Sequence, residues 1–373
     1  MRADVPRLTL PAARAMLLAA RQRLAAGSAG QRGGAMAAPV RLGVIGCGSM
    51  ARAHLRNAAA HPAVQLQAYA DVREAAAQEF LHTFGGRYAT TDPARLLRDE
   101  GIDALLIATH HDSHAALAIA AAQAGKHVLI EKPLAMAVED CRRVEEAVER
   151  AGIVLVVGFK LRFAPLVQEA RRLIERPVLT AGQMVDNRWA DTHWAQDPVK
   201  GGGNVLSQGC HTFDLVCYLH RGTPVEVYAA GGTFTHDPAT TSVIDTVAAT
   251  LRFADGTAAA IIQSDAGLPA FVSKFFFELF DGRLAVQLTD RLHRMTVSGP
   301  ALAQPRELRA EEVAPGQDPE GLAQELGEFV HCVQTGAPPV IGATARDGMR
   351  ATAIALAIFD SVRTGRPQPL PAG

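Results

Sequence analysis

The sequence carries almost no excess of charge and has no long apolar run. Its 373 residues include 37 Lys and Arg against 38 Asp and Glu, which gives a formal net charge of −1 at pH 7. This balance provides no electrostatic basis for nucleic-acid binding. No uninterrupted apolar segment reaches the ~18 residues that a membrane helix needs, so we expect no membrane association.

Cysteine is scarce as well. The five cysteines stand at positions 47, 141, 210, 217 and 332, and no two of them form a C-x-x-C pair. An odd number of scattered cysteines excludes a disulfide framework and a cysteine-based zinc site, and predicts reduced thiols in the cytoplasm. By contrast, 48% of the residues are hydrophobic, which excludes a disordered chain and, at this length, predicts two domains.

Residues 1–35 differ in composition from the rest of the chain. They contain six Arg but a single Asp, no aromatic residue, and a glycine-rich stretch over 27–34. An arginine-rich, acid-poor segment is typical of a transit peptide, and the alternative is an extension upstream of a start at Met36. We favour the extension, and expect a poorly ordered or short-helical basic segment outside the fold.

From Val40 onward, short apolar runs alternate with stretches of helical periodicity. Strands are predicted over 40–45, 64–70, 103–108, 127–130 and 153–157, with helices over 49–60, 73–84, 93–100, 115–124 and 138–151. Such alternation is typical of βαβ units. Residues 36–158 are therefore predicted to form a Rossmann domain, an α/β fold with a doubly wound parallel sheet.

The pattern changes after Gly158, where hairpin signals replace the alternation. Asp255-Gly256 and Asp281-Gly282 each separate two alternating apolar runs, and Asp-Gly in this setting is the strongest short-range hairpin signal. We therefore predict a second α/β domain over 159–340 with a large, mostly antiparallel open sheet. Residues 341–373 are predicted to form a long helix over 344–363 and a tail, both packing back on the body.

A glycine-rich motif directly follows the first predicted strand. Gly46-Cys47-Gly48-Ser49-Met50-Ala51 reads G-x-G-x-x-A and opens a helix, as in dinucleotide-binding turns, where backbone approaches a pyrophosphate at a helix N-terminus. Asp71 ends the second strand, twenty residues after Ala51, where an acid bonds the adenosine ribose hydroxyls. Asp71 would repel a 2′-phosphate and favours NAD, while Arg73 could offset that repulsion and leaves NADP open.

Glu131-Lys132-Pro133 directly follows another buried strand. It therefore lies at the carboxyl edge of the sheet, where open α/β folds bind ligands. A lysine beside a cationic nicotinamide would have its ammonium form disfavoured, which would bring its pKa towards a range useful for proton transfer. Taken alone, the same tripeptide is equally typical of an ordinary loop with a solvated lysine.

In the second domain, a glycine-rich entry at 201–203 precedes a segment of helical spacing. Ser207, His211 and Asp214 then share one face, at i, i+4 and i+7. A histidine there can accept a hydroxyl proton near neutral pH. The alternative is a helix that faces the core, with a histidine whose hydrogen-bonding groups have partners there and take no part in chemistry.

Other reactive combinations are disfavoured by their setting. His110 and His114 are four residues apart, but they lie at a strand-to-helix turn where the cofactor is expected, so we predict no metal. Ser207 lacks the leading glycine of a nucleophile elbow. Adjacent residues on a helix point about 100° apart, so Cys210 and His211 are poorly placed to pair.

Together these motifs resemble the Gfo/Idh/MocA family, which includes glucose–fructose oxidoreductase and inositol dehydrogenase. The resemblance covers residues 40 to about 370, including the segments 158–165 and 365–367. It implies a Rossmann domain followed by an α/β domain whose open sheet forms an oligomer interface. It further implies NAD(P)-dependent oxidation of a secondary hydroxyl of a sugar or cyclitol, or reduction of the matching ketone.

The resemblance also implies roles for individual residues. Lys132 would bond the reacting hydroxyl, and His211 would act as the general acid/base or support it. Glu131 would lie near the nicotinamide ribose, with Thr109 and His114 lining the cofactor cleft. The residues expected to contact the substrate are Lys132, Arg162, Trp194, Ser207 and Asp214, with Trp194 offering a flat surface to a sugar ring.

Two departures from the family pattern affect these assignments. Many of its dehydrogenases carry an Asp where this chain has Ser207, so the identity of the base is open between His211 alone and His211 with Lys132. The usual Thr-Pro after the fourth strand is Thr109-His110 here, which predicts a different loop against the nicotinamide.

Three functions remain open on the sequence. The first is a dehydrogenase acting on CH–OH groups of a small polyol, present as a cytoplasmic homodimer or homotetramer joined through the C-terminal sheet. The second is an NAD-dependent glycosidase of the same fold. The third is a non-catalytic NAD-sensing regulator, which would need neither Lys132 nor His211 for chemistry.

Overall fold

Parallel strands flanked by helices make up the first half of the chain in this computed structural model, which describes residues 38–268 and 270–371. The strands are β1 (Val40–Ile45), β2 (Val64–Ala70), β3 (Tyr88–Thr90), β4 (Ala104–Ile107), β5 (His127–Ile130) and β6 (Leu155–Val157). Their order, β3-β2-β1-β4-β5-β6, is that of a doubly wound fold, with the strand order reversing between β1 and β4. Ligands bind at that reversal, outside the carboxyl ends of the strands. The basic extension predicted over 1–35 lies outside the described residues.

Helices cover both faces of this sheet. They are α1 (Ser49–Ala60), α2 (Glu74–Phe84), α3 (Pro93–Leu97), α4 (His114–Gln123) and α5 (Val138–Ala151). The predicted helix over 93–100 ends earlier than expected, at Leu97, and the three-residue strand β3 was not predicted. Both elements lie at the periphery, where hydrophobic periodicity is shortest and least informative.

The second sheet is largely antiparallel and has nine strands in the described part of the chain. These are β7 (Leu179–Val185), β8 (Pro224–Gly232), β9 (Thr246–Phe253), β10 (Ala258–Ser264), β11 (Phe275–Phe280), β12 (Ala285–Thr289), β13 (Arg294–Ser298), β14 (Arg306–Arg309) and β15 (Gln368–Pro369). Their order is β14-β13-β12-β11-β7-β10-β9-β8-β15, and only β7 and β10 pair in parallel among them. Both predicted Asp-Gly hairpins are present.

One face of this sheet is buried beneath helices. The helices of this half are α6 (Pro165–Leu173), α7 (Gly203–Ser207), α8 (Gly209–His220), α9 (Ala310–Val313), α10 (Leu322–Thr335) and α11 (Ala345–Thr364). The predicted C-terminal helix is confirmed as α11, which packs against both α5 and β8 and so links the two halves. The predicted single helical face over 207–214 is interrupted at Gln208, which ends α7 and precedes α8.

The other face of the second sheet carries exposed apolar side chains. Along β8, β9 and β10 buried and exposed residues alternate, as expected of a sheet covered on one side. Leu179, Tyr228 and Ile262 are 42%, 46% and 45% exposed on this outer face. All five cysteines are buried and free, and no helix in residues 38–268 and 270–371 is long and apolar enough to cross a membrane.

Candidate active site

A cleft of about 1180 Å³ opens at the carboxyl edge of the parallel sheet and extends to residues of the second sheet. Most of the predicted site residues line it: Gly46, Cys47, Gly48, Ser49, Met50, Asp71, Thr109, Glu131, Lys132, Trp194, Ser207 and His211. The cleft therefore gathers residues from segments more than 150 positions apart. Four predicted site residues do not line it, namely Ala51, His114, Arg162 and Asp214.

The glycine-rich turn presents open backbone to the cleft. Gly46 has φ +93°, and a Cβ there would lie 2.4 Å from the carbonyl oxygen of Ala108, so this position requires glycine for the fold itself. Gly48 has an ordinary φ of −96°, and a Cβ there would meet nothing within 4 Å. Because α1 begins at Ser49 without a side-chain cap, its first N–H groups are available to an anion. The turn thus has the form of a pyrophosphate cradle.

Asp71 lies beside this turn and orders it. One carboxylate oxygen accepts a hydrogen bond from the backbone N–H of Cys47 at 2.8 Å, and the other accepts from the backbone N–H of Arg73 at 2.9 Å. Ala51 is fully buried under the turn, where its small side chain permits close packing of helix on strand.

Glu131 is buried and forms a pair with His54, a residue that the sequence did not single out. His54 Nε2 lies 2.8 Å from Glu131 Oε1. Burial by itself would raise the pKa of Glu131, but the hydrogen bond and charge of His54 and the charge of Lys132 outweigh it and lower that pKa. Glu131 therefore remains a carboxylate beneath the cleft.

Glu325, on α10, is a second buried carboxyl group close enough to Glu131 to feel its charge. It is fully buried and neither carboxyl oxygen has a hydrogen-bond partner. Burial raises its pKa well above the ordinary value, and the Glu131 carboxylate raises it further. Burial therefore favours the neutral form of Glu325, which lies on a helix that carries no recognisable motif.

Lys132 projects from the end of β5 into the cleft. Its ammonium Nζ donates a hydrogen bond to the backbone carbonyl of Ser207 at 2.9 Å. This bond connects the end of β5 to the end of α7. The structure thus uses the carbonyl of Ser207 rather than its hydroxyl to hold Lys132. An ammonium group carries three donors, so two remain for a ligand.

His211 lies in the same part of the cleft on α8. Burial lowers the pKa of His211 well below its ordinary value, and the ammonium charges of Lys132, Lys160 and Lys274 lower it further. Its Nδ1 is buried without a hydrogen-bond partner. His211 is therefore a neutral imidazole at neutral pH, able to accept a proton.

The thiol beside His211 is not a nucleophile. Burial raises the pKa of Cys210 to about 12, and its Sγ lies 3.3 Å from the carbonyl oxygen of Ser207. A protonated, fully buried thiol is inert, in agreement with the prediction that Cys210 and His211 do not act as a pair.

Trp194 and the histidines after β4 form one wall of the cleft. The ring of Trp194 stacks on His110 with centroids 4.3 Å apart, and packs edge-on against His111. His114 is buried below the wall, with Nδ1 2.7 Å from the carbonyl oxygen of Pro133 and Nε2 3.2 Å from that of Thr109. His114 therefore positions the loop instead of lining the cleft as expected.

The expectation that Arg162 and Asp214 contact substrate disagrees with their placement. Arg162 donates to both oxygens of Asp214, at 2.5 and 2.8 Å, and lies 3.2 Å from Asp347. Both side chains are almost completely buried. Both His211 and Asp214 lie on α8, where His211 faces the cleft and Asp214, three residues further along, is buried against Arg162.

Several charged residues in the cleft were not predicted. Glu320 accepts hydrogen bonds from Lys160 at 2.7 Å and from Arg291 at 2.5 Å. Lys274 pairs with Asp186 at 2.6 Å. These residues come from separate segments, and apart from Lys160, which lies in the segment 158–165, none belongs to a motif, so only the folded chain brings them together.

A histidine and two carboxylates form the one cluster with metal-binding geometry in the described ranges. His236, Asp245 and Asp265 are buried with ligand atoms within 4.8 Å of one another. His236 Nε2 already lies 2.7 Å from Asp265, and one oxygen of Asp245 accepts three backbone N–H groups. None of the three lines the cleft.

Comparison with protein families decides the identity of the fold. A family model described as an oxidoreductase family with an NAD-binding Rossmann fold matches residues 40–159, and the GFO/IDH/MocA C-terminal domain model matches residues 167–269. The chain belongs to the Gfo/Idh/MocA oxidoreductase family. The resemblance read from the motifs, the fold class and the NAD cofactor are thereby confirmed.

Named sugar and cyclitol dehydrogenases are similar to this chain over half of its length or more. Myo-inositol 2-dehydrogenase of Thermotoga maritima is 27% identical, over 88% of this chain and 97% of the relative. An NAD⁺-dependent scyllo-inositol 2-dehydrogenase of Bacillus subtilis is 28% identical over 53% of this chain and 59% of its own. The solved structure of levoglucosan dehydrogenase with NADH and L-sorbose is 25% identical, with a TM-score of 0.82 over 90% of this chain and 100% of that chain.

Proposed function

We propose that this enzyme transfers a hydride between NAD and a secondary hydroxyl, or the matching ketone, of a sugar, cyclitol or related polyol. The observation that carries the proposal is the meeting of Lys132 and His211 in the same cleft as the glycine-rich turn. The similar dehydrogenases act on polyhydroxylated rings, which supports this substrate class.

The cofactor is held by the residues of the first sheet. The open space at Gly48 and the uncapped start of α1 fit a pyrophosphate, and Asp71 stands where ribose hydroxyls are bonded. We assign Thr109 and Glu131 to the nicotinamide end because they close the carboxyl edge of β4 and β5. Bound NAD supplies the hydride acceptor.

Lys132 binds the substrate oxygen, and His211 accepts or returns its proton. The free N–H donors of Lys132 bond the substrate oxygen and stabilise the negative charge that develops on it. As the C–H hydride departs with its electron pair, the hydroxyl proton passes to Nε2 of the neutral His211 imidazole, and the carbonyl forms. In the reverse direction, protonated His211 returns the proton to the same oxygen.

Steady-state measurements test the assignment. The purified protein is incubated with NAD⁺ or NADP⁺ and a panel of inositols, aldoses and anhydrosugars, and reduced-nicotinamide absorbance is followed. We expect turnover with NAD⁺ and a fall in kcat of about 10²- to 10⁴-fold for Lys132→Ala and for His211→Ala. The exposed Lys200→Ala and His82→Ala serve as matched controls and should behave as wild type.

The two alternative functions give different results in the same assay. A glycosidase would cleave glycosides without net formation of reduced cofactor. An NAD sensor would bind NADH but turn over no substrate, and Lys132→Ala would change nothing. Either outcome would replace the dehydrogenase assignment.

We further propose a cytoplasmic homodimer or homotetramer joined through the outer face of the second sheet. Leu179, Tyr228 and Ile262 give this face an apolar character that a monomer would leave exposed to water. Five buried, free thiols suit a reducing compartment.

A further inference from the structure

The part of the cleft around His211 has an unusual concentration of positive charge. Its cations are Lys132, Lys160, Lys274 and Arg291, and all four line the cleft. The carboxylates that pair with them there are Asp186 and Glu320. We infer that the substrate oxidised or reduced in this cleft carries a carboxylate, as in a sugar acid, which rests on the function proposed above.

Glu320 is shared between two cations instead of neutralising one. Its Oε2 accepts from Lys160 Nζ at 2.7 Å, while Oε1 accepts from Arg291 Nε at 2.9 Å and Nη2 at 2.5 Å. This arrangement leaves Nη1 of Arg291 and two Lys160 donors without a bond to Glu320. Lys132 faces the Glu131 carboxylate, so three further cations face the two carboxylates Asp186 and Glu320, and one positive charge remains for a ligand.

Mutual repulsion among these cations is visible at Lys274. Burial lowers the pKa of Lys274, the Asp186 carboxylate opposes this, and the charges of Arg291 and Lys132 lower it again. Holding uncompensated cations together in a partly buried cleft is costly without an anion between them. A negatively charged ligand removes that cost.

Arg291 reaches the cleft from a strained piece of backbone. Asp290, Arg291 and Leu292 have φ values of +50°, +53° and +69°, a conformation that non-glycine residues rarely adopt in succession. Leu292 is fully buried and anchors the turn, while the Arg291 guanidinium lies 5.9 Å from the Phe275 ring centroid. Strain of this kind persists where a side chain must be held for function.

A carboxylate fits this set of donors better than a neutral hydroxyl or a phosphate. It accepts hydrogen bonds only, and matches guanidinium and ammonium donors. A neutral polyol needs acceptors as well as donors and gains nothing from net charge. A phosphate, which carries ≈ −1.5 to −2 charges at pH 7, would exceed the single surplus cation.

Matched sugar pairs test the inference. D-Glucuronate is compared with D-glucose, and D-galacturonate with D-galactose, both as substrates with NAD⁺ and as ligands of the NADH-bound enzyme by calorimetry. D-Glucose 6-phosphate is the phosphate arm. We expect the acid to be preferred about ten- to hundredfold in kcat/KM and in affinity, with the preference falling as salt is added.

Variants assign the preference to the named cations. Arg291→Gln should raise KM for the acid about tenfold with kcat and the neutral sugar little changed, and Arg291→Lys should restore part of the loss. Lys160→Gln provides a second, independent loss in case the strained turn does not tolerate Arg291→Gln. Arg142→Gln, an exposed arginine on α5, is the matched control, and thermal melting establishes that each variant is folded.

The failure of this inference is distinguishable from that of the proposed function. Equal or better use of the neutral sugars, or of the 6-phosphate, overturns the carboxylate assignment and leaves a dehydrogenase. Reduced nicotinamide from no compound overturns the dehydrogenase. In that case calorimetry with the NADH-bound enzyme still tests the carboxylate inference. If the sugar acids bind no more tightly than the neutral sugars, this inference is wrong as well.

Discussion

At the scale of single residues, Gly46 and Gly48 stand two positions apart but are required for different reasons. A Cβ at Gly46 would lie 2.4 Å from a backbone oxygen, whereas a Cβ at Gly48 would extend into open cleft. Gly46 is therefore required by the fold, and Gly48 is required by the space that the bound ligand occupies.

Alanine at each position should separate these two requirements. Gly48→Ala is expected to melt like wild type and to bind NADH about tenfold or more weakly, because the methyl group occupies pyrophosphate space. Gly46→Ala is expected to lose several degrees in Tm together with binding, since backbone must shift. Fluorescence titration and thermal melting measure both. Equal destabilisation by the two changes would show that Gly48 also serves the fold.

The buried pair Arg162–Asp214 gives a second residue-scale prediction. Asp214→Asn removes one of the two carboxylates beside the buried Arg162 guanidinium and leaves Asp347 as the other, so we expect a loss of about 3 kcal/mol in the free energy of unfolding. Substrate KM of the folded fraction should stay near the wild-type value, because neither side chain lines the cleft. Denaturant titration and steady-state kinetics check this, and a large rise in KM at unchanged stability would restore the substrate-binding role.

At the scale of elements, the sequence was most informative for continuous buried runs and for strongly amphipathic helices. β1, β2, β5 and α5 begin and end at the predicted residues, because buried runs and amphipathic helices leave clear patterns. The break at Gln208 was not predictable from spacing alone. A Cβ at Gly209 would lie 2.8 Å from Phe213 of the same helix and 3.2 Å from Gln263 of β10, and the contact with β10 has no local signal.

The segment between β8 and β9 is held by a histidine between two carboxylates. His236 Nδ1 lies 2.7 Å from Asp191 and Nε2 lies 2.7 Å from Asp265. Burial alone would lower the pKa of His236, but the hydrogen bonds of Asp265 and Asp191 outweigh it and raise that pKa despite the nearby Arg188 charge. The protonated imidazole is therefore the form that stabilises this segment.

Stability should then depend on pH with a defined sign. Because the folded pKa is raised, the contribution of His236 is fully present below the unfolded pKa of about 6.5 and is lost as pH rises through the folded value. Subtracting the Tm of His236→Gln from that of wild type should give a difference that shrinks from pH 6 upward. The exposed His82→Gln is the control. A difference that grows with pH would contradict the charged assignment.

At the scale of the whole molecule, the sequence identified the cofactor half more completely than the substrate half. The glycine-rich turn, Asp71 and Lys132 lie directly at strand ends, so local motifs locate them. The Lys160–Glu320–Arg291 group joins three segments spread over 160 positions, and neither Glu320 nor Arg291 has a local signature. The substrate specificity that we propose for this group therefore depends on tertiary placement.

The outer face of the second sheet provides the last prediction, which concerns assembly. In a symmetric interface, Ile262→Glu places a charge in every copy of the apolar contact, so we expect subunit affinity to fall about hundredfold or more. Size-exclusion chromatography with light scattering should show wild type as a dimer or tetramer and the variant as monomer at micromolar concentration. Val340→Glu makes the same change in charge at a residue that is 88% exposed on a loop, and should leave assembly intact. If the wild type is a monomer, or if both variants dissociate to the same extent, the outer face of the second sheet is not the interface.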